Sequence, residues 1–190
     1  MEIKPLLDYT VTKNRVWGIR PKNFEQNIAL NLLMDDDIKL VGIVGGAGCG
    51  KTLITLASAL SLCFDEKKFS RIVISRETIV AAGSEEIGFL PGTKLEKLGE
   101  YMGPMYDNLK VLVNEDTHAA KEKNGTYKKG SGLEQILEHI EVESVGLMRG
   151  RSFGGVESQG VVLIIDEAQN LTLNQMKLIL TRAGELAKVS

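Results

Sequence analysis

The segment Gly45-Gly46-Ala47-Gly48-Cys49-Gly50-Lys51-Thr52 carries the most specific chemistry in this chain of 190 residues. Its spacing matches G-x-x-x-x-G-K-[ST], a loop that wraps a phosphate tail. The glycines let the backbone turn successive N–H groups inward to form an anion nest. A helix opening near Gly50 would aim the positive end of its dipole at the same spot. Lys51 then neutralises the β- and γ-phosphates, the Thr52 hydroxyl ligates Mg²⁺, and Leu53 continues the helix beside the nucleotide. Cys49 reads as a small filler in this loop.

A second pair of chemical groups ends the run Val161-Val162-Leu163-Ile164-Ile165, which closes on Asp166 and Glu167. In a parallel sheet the carboxyl ends of the strands face the ligand crevice. There Asp166 would hold Mg²⁺ and Glu167 would polarise an attacking water. The loop and the acids therefore predict a Mg²⁺-dependent site for ATP or a close relative, with Lys51, Asp166 and Glu167 as its catalytic groups.

The elements that must position these groups are legible from periodicity. Residues 38–44 (IKLVGIV) form a short β-rich apolar run, the expected strand feeding the phosphate loop. A helix is predicted from about Gly50 to Cys63, and a second parallel strand over 72–75, which makes a βαβ unit. Upstream, Asn23 caps a helix running to about Leu33, with Phe24, Ile28 and Leu32 as its apolar stripe. Residues 1–22 show no periodicity and read as a leader or linker, so the domain spans 23–190.

Further along, 78–92 is loop-like, and a helix interrupted near Gly103-Pro104 reaches about Leu109. Residues 111–113 are a candidate strand, and 114–132, with Lys121, Lys123, Lys128 and Lys129, reads as a mobile insertion. A short helix is expected over 133–140. Thr172 and Gln175 fit a capping box that opens a helix with Met176, Ile179, Leu180 and Ala183 on one face. The fold class is α/β: a three-layer P-loop NTPase fold with a mainly parallel sheet.

Composition sets bounds on function. Net charge is −2, so a surface basic all over is excluded and any nucleic-acid contact must be local. Two cysteines with no zinc or disulfide spacing suit a reducing cytoplasm. No apolar run approaches the ~20 residues of a membrane span, and the N-terminus is too polar for a signal peptide.

At Asp166-Glu167-Ala168-Gln169-Asn170-Leu171-Thr172, together with RPKNFEQNIAL, GGAGCGKT, IGFLPG and RGRSF, the chain closely resembles the PhoH family of phosphate-starvation-associated ATPases. The likeness runs from about Val16 to Gly184. It implies kinship with superfamily one helicase cores, and coupling of hydrolysis to single-stranded RNA in members that carry a PIN-type ribonuclease. Gln26 matches a glutamine resembling the adenine reader of those helicases, while also fitting a capping box with Asn23. Arg149 and Arg151 match the family's RGR motif and would meet phosphate or a neighbouring subunit's nucleotide. Arg182 would act as an arginine finger in a homo-oligomeric ring, or simply favour the end of its own helix.

Phe89 is a base-stacking candidate or a packed loop aromatic. Arg76 should lie at the ligand edge of the sheet, although Arg76-Glu77 departs from the family's arginine-proline pair. Relatives continue into another strand ending in a glycine-aspartate pair and a glutamine, so the chain reads as a core truncated at its C-terminus. Three function classes stay open: an RNA-coupled ATPase, a P-loop phosphotransferase, and a nucleotide-gated interaction module with little turnover.

Overall fold

A computed structural model of the chain describes residues 4–76, 103–123, 131–143, 145, 160–182 and 187–189. The helices are α1 (Phe24–Met34), α2 (Lys51–Leu60), α3 (Gly103–Lys123), α4 (Ser131–Glu138) and α5 (Leu173–Arg182). The strands are β1 (Arg71–Arg76), β2 (Ile140–Val142), β3 (Val161–Asp166) and β4 (Ala187–Val189). They form one sheet in the order β2-β1-β3-β4, parallel throughout. Helices connect and cover parallel strands, so both faces of the sheet must be apolar.

The period-two rule sorts the strand residues cleanly. Ile72, Ile74, Val162 and Ile164 face one side, in a core with Leu56 and Leu60 of α2, Met105, Leu109 and Leu112 of α3, and Leu137 of α4. Val73, Val161 and Leu163 face the other, where Ile179 of α5 and Val145 cover them. Helix, sheet and helix make the three layers that the alternation of apolar runs predicted.

Several expectations are corrected. Residues 111–113 are helical, not a strand, because Met105, Leu109 and Leu112 recur at helical spacing and all are fully buried. The same helix runs through 114–123, so that half of the expected insertion is regular structure. Pro104 stands in its first turn, where a missing N–H costs nothing. Residues 38–44 join none of the four strands among the described residues; Leu40 makes a single bridge. Val41 is buried against Leu30, Leu33 and Ile54, while Leu40 and Val44 are exposed, Val44 completely. The alternation is that of a strand, but packing against helices on one side holds the segment instead of a ladder.

The stripe expected on α1 is rotated. Phe24 is 66% exposed and Leu32 39%, whereas Asn27, Leu30 and Leu33 are buried. The cause lies in residues 4–22, which are packed onto the domain rather than free of it. Asn27 and Asn31, one turn apart on α1, receive the Tyr9 and Leu7 N–H groups at 2.9 and 2.8 Å and return amide donors to the Leu7 carbonyl. Tyr9, Val16 and Trp17 are buried, the last with its ring 5.7 Å from that of Phe64 and tilted 53° to it. Two asparagines thus do for an irregular segment what a neighbouring strand would do.

Leu60 sits fully buried in the main core, so Leu60→Ala should lose about 2–5 kcal/mol of stability in urea denaturation. Leu180, 41% exposed on α5, should tolerate alanine within about 0.5 kcal/mol. Equal losses at the two positions would contradict the described packing.

Candidate functional site

The phosphate-loop motif folds as a turn leading into α2, with Gly48 and Gly50 at φ 72° and 87°. Gly50 is the N-cap of α2, so the loop's N–H groups and the helix dipole meet at one place. At Gly45 the space is tight: a Cβ there would lie 3.0 Å from Cys49 Sγ, so the thiol would have to shift. Lys51 Nζ donates to the carbonyls of Gly45 and Gly46, both at 2.8 Å, and lies 3.8 Å from Cys49 Sγ. The lysine therefore folds back over the loop it follows, the position from which a cation reaches a phosphate tail. Gly46, Ala47 and Cys49 are exposed, and Thr52 and Leu53 are half-buried in the first turn of α2.

Gln26 does two things at once. Its Oε1 accepts the Lys22 N–H at 2.7 Å, and its Nε2 donates to the Cys49 carbonyl at 2.9 Å. Those partners, an N–H and a C=O, fix which end of the amide points where. Asn23 Oδ1 caps the helix by accepting the Gln26 N–H at 2.9 Å, as expected. The return bond goes to Lys22 rather than Asn23, which leaves the Gln26 amide free to tie α1 to the loop. The approach is close, with a Cβ on Gly50 lying 3.2 Å from Gln26 Nε2. A cavity of about 550 Å³ opens around the start of α1, bordered by Asp8, Arg20, Lys22 and Phe24; neither the loop nor the acids line it.

The acids stand where β3 ends. Glu167 adopts φ 56° and ψ 38°, left-handed backbone that costs a non-glycine residue of order 1–3 kcal/mol. That turn redirects the chain out of the sheet into the short 3₁₀ turn Ala168–Asn170, and α5 follows. Thr172 and Gln175 make the reciprocal capping box foreseen for α5, with Thr172 N–H and Gln175 N–H each meeting the other residue's side-chain oxygen at 2.8 and 3.3 Å.

Arg76 completes the group. Parallel register sets it directly beside Asp166. Its Nε lies 3.8 Å from Asp166 Oδ2 and its Nη2 lies 3.8 Å from Glu167 Oε1. The second Glu167 oxygen, Oε2, accepts from Gln169 Nε2. Arg76 was foreseen at this edge, but its grip on both acids was not, and Gln169 was missed as a holder of Glu167. No linear spacing encodes a contact that depends on strand register.

Half-burial pushes the Asp166 carboxyl above the ordinary aspartate range; Arg76 pulls it back, Glu167 raises it again, and Lys51 lowers it. The helix that the phosphate loop opens, α2, packs through Leu56 and Leu60 on Val162 and Ile164 of β3, the strand that ends in the acids. Thr52 and Asp166 offer hard oxygen donors, the type Mg²⁺ takes. No group of three or more His, Cys, Asp or Glu comes together among the described residues. Arg182 lies in the last turn of α5. Arg149, Arg151, Phe89 and residues 124–130 of the expected insertion lie outside the described residues.

A parallel α/β sheet with a glycine-rich phosphate loop and acids at the carboxyl edge defines a P-loop NTPase domain. Residues 18–189 match the family described as PhoH-like protein, and the chain belongs to that family. It is 44% identical over 177 residues to Protein PhoH2 of Bacillus subtilis, a match covering 92% of this chain and 36% of that protein. It is 32% identical over 184 residues to a PhoH-like protein of Mycobacterium tuberculosis, covering 97% and 46%. Against Protein PhoH of Escherichia coli it is 37% identical over 147 residues, covering 77% and 36%. The chain thus spans less than half the length of each of these relatives. No described helix is long and apolar enough to cross a membrane.

Because Asp166 has a folded pKa above its unfolded value, its protonation stabilises the fold. That contribution is complete below the unfolded pKa and is lost as pH rises through the folded one. At neutral pH the charge is therefore a cost, and Asp166→Asn should melt no lower than wild type in thermal denaturation. A clear fall in Tm would mean that the ionised carboxylate is net stabilising.

Proposed function

We propose that this chain binds ATP with Mg²⁺ and hydrolyses it, and that hydrolysis is coupled to single-stranded RNA. The observation that supports the hydrolytic part is a phosphate-loop turn opening α2, the helix packed on β3, whose end carries Asp166 and Glu167 with Arg76 against both. In this reading the loop N–H groups from Gly45 to Thr52 and the Lys51 ammonium hold the phosphates. A phosphate oxygen would replace the Gly45 and Gly46 carbonyls as the acceptor for Lys51 Nζ, a stronger, charge-assisted partner. Thr52 and Asp166 would hold Mg²⁺, which when bound supplies charge stabilisation on the phosphate oxygens. Glu167, with one oxygen toward Arg76 and the other toward Gln169, orients the attacking water in line with the γ-phosphorus. Gln26 sets the loop's position through Cys49, and would meet an adenine edge with the N–H and lone pair that Cys49 and Lys22 leave over.

Catalysis of this kind is positioning and charge stabilisation, so single changes should act selectively. A phosphotransferase would have to keep water from the γ-phosphate, and a water-orienting Glu167 beside Asp166 speaks against it. One observation favours the reading as a nucleotide-gated interaction module. Residues 38–44 lie outside the sheet with Val44 fully exposed, so the approach to the loop is braced on one side only. The RNA link rests on family membership, with Arg149, Arg151 and the lysines at 121, 123, 128 and 129 as the local basic groups. A homo-oligomeric ring with Arg182 acting across subunits belongs to the same reading.

Phosphate release with and without RNA tests these classes together. Lys51→Ala should abolish nucleotide binding, while Glu167→Gln should keep binding and lose turnover by about 10²-fold or more. Equal hydrolysis by Glu167→Gln and wild type would remove Glu167 from the mechanism. Tight ATP binding without phosphate release would select the gated module. RNA binding should weaken steeply as salt rises, and a salt-independent signal would contradict a phosphate-backbone contact.

A further inference from the structure

Arg76 is the one described cation paired with both acids at the end of β3, and the pairing has an unusual form. Each nitrogen–oxygen distance is 3.8 Å, too long for a hydrogen bond and near the outer limit of an ion pair. The guanidinium therefore spans two carboxylates without being locked to either. Its side chain is 23% exposed and that of Asp166 is 22%, so the attraction operates in a partly dry setting. Strand register holds the Arg76 backbone beside Asp166, so the arginine cannot drift far from the acids. Glu167 is turned toward it by a left-handed backbone and steadied from behind by Gln169.

Resting on the reading of Asp166 as a magnesium holder, we propose that Arg76 competes with the divalent cation for this acid pair and thereby sets how much Mg²⁺ nucleotide binding requires. A divalent ion approaches carboxylate oxygen at ~2.0–2.1 Å, or through a water of its own shell. It carries twice the charge of the guanidinium and would draw on the same Asp166 Oδ2. With Asp166 holding a divalent ion, Arg76 would yield the Asp166 side and keep only the Glu167 side. Arg76 is a positioning residue in this scheme: it balances two adjacent like charges and releases one of them on demand. Lys51, the other cation acting on Asp166, is bound to loop carbonyls and is drawn away toward phosphate instead.

The experiment is a Mg²⁺ titration of fluorescent ATP-analogue binding to the full chain, repeated as direct Mn²⁺ binding followed by electron paramagnetic resonance. Arg76→Gln should lower the half-saturating metal concentration about three- to tenfold in both readouts. Arg76→Lys, which keeps one charge but faces one acid at a time, should shift it part of the way, and carries the test if the glutamine variant does not fold. An unchanged or higher metal requirement in the folded variants would overturn the proposal. Wild-type protein that binds no nucleotide at any metal concentration would sink the nucleotide reading, and this inference with it. Wild-type binding with unshifted variants would sink the inference alone.

Discussion

The in-register parallel pairing of β1 with β3 is the constraint on which the site depends. It sets Arg76 beside Asp166 at the carboxyl end of β1 and β3, and Glu167 follows at once. The pairing is held by the two apolar faces of these strands, Ile72, Ile74, Val162 and Ile164 toward one helical layer and Val73, Val161 and Leu163 toward the other. A slip of one residue would exchange the two faces and misplace the arginine relative to the acids. Core packing and site geometry are thus one requirement rather than two.

Around that axis the charges are arranged in a way that resists simple summation. Two neighbouring carboxylates, one half-buried, are balanced by Arg76 and Lys51, neither of which is bonded to them at hydrogen-bond length. The strained backbone of Glu167 is the local cost of turning its carboxylate toward this group. Such an arrangement is poorly optimised for stability and well suited to exchanging one cation for another. It is the kind of compromise expected where a site, not a core, dictates the residues.

The phosphate loop is secured differently. The segment that feeds it lies outside the four-stranded sheet and is held by Val41 against α1 and α2, so side-chain bonds carry much of the positioning. Gln26 is central to that support, linking the turn before α1 to the Cys49 carbonyl. Residues 4–22 in turn hold α1 through Asn27 and Asn31. What looked like a leader is therefore part of the scaffold that places the loop.

Membership of the P-loop class was legible in the sequence because its signals are local: a loop motif of fixed spacing, an apolar run ending in two acids, and caps such as Asn23 and Thr172 with Gln175. Period-two and helical patterns likewise foretold β1, β3, α2 and α5. Residues 111–113 misled because three apolar residues in a row satisfy either period, and only contact with α2 and the sheet decides for helix. The place of 38–44 outside the four strands among the described residues, the rotated face of α1 and the pairing of Arg76 with both acids were settled by tertiary structure alone. Each depends on which segments become neighbours, and neighbours distant in the chain leave no mark in linear spacing.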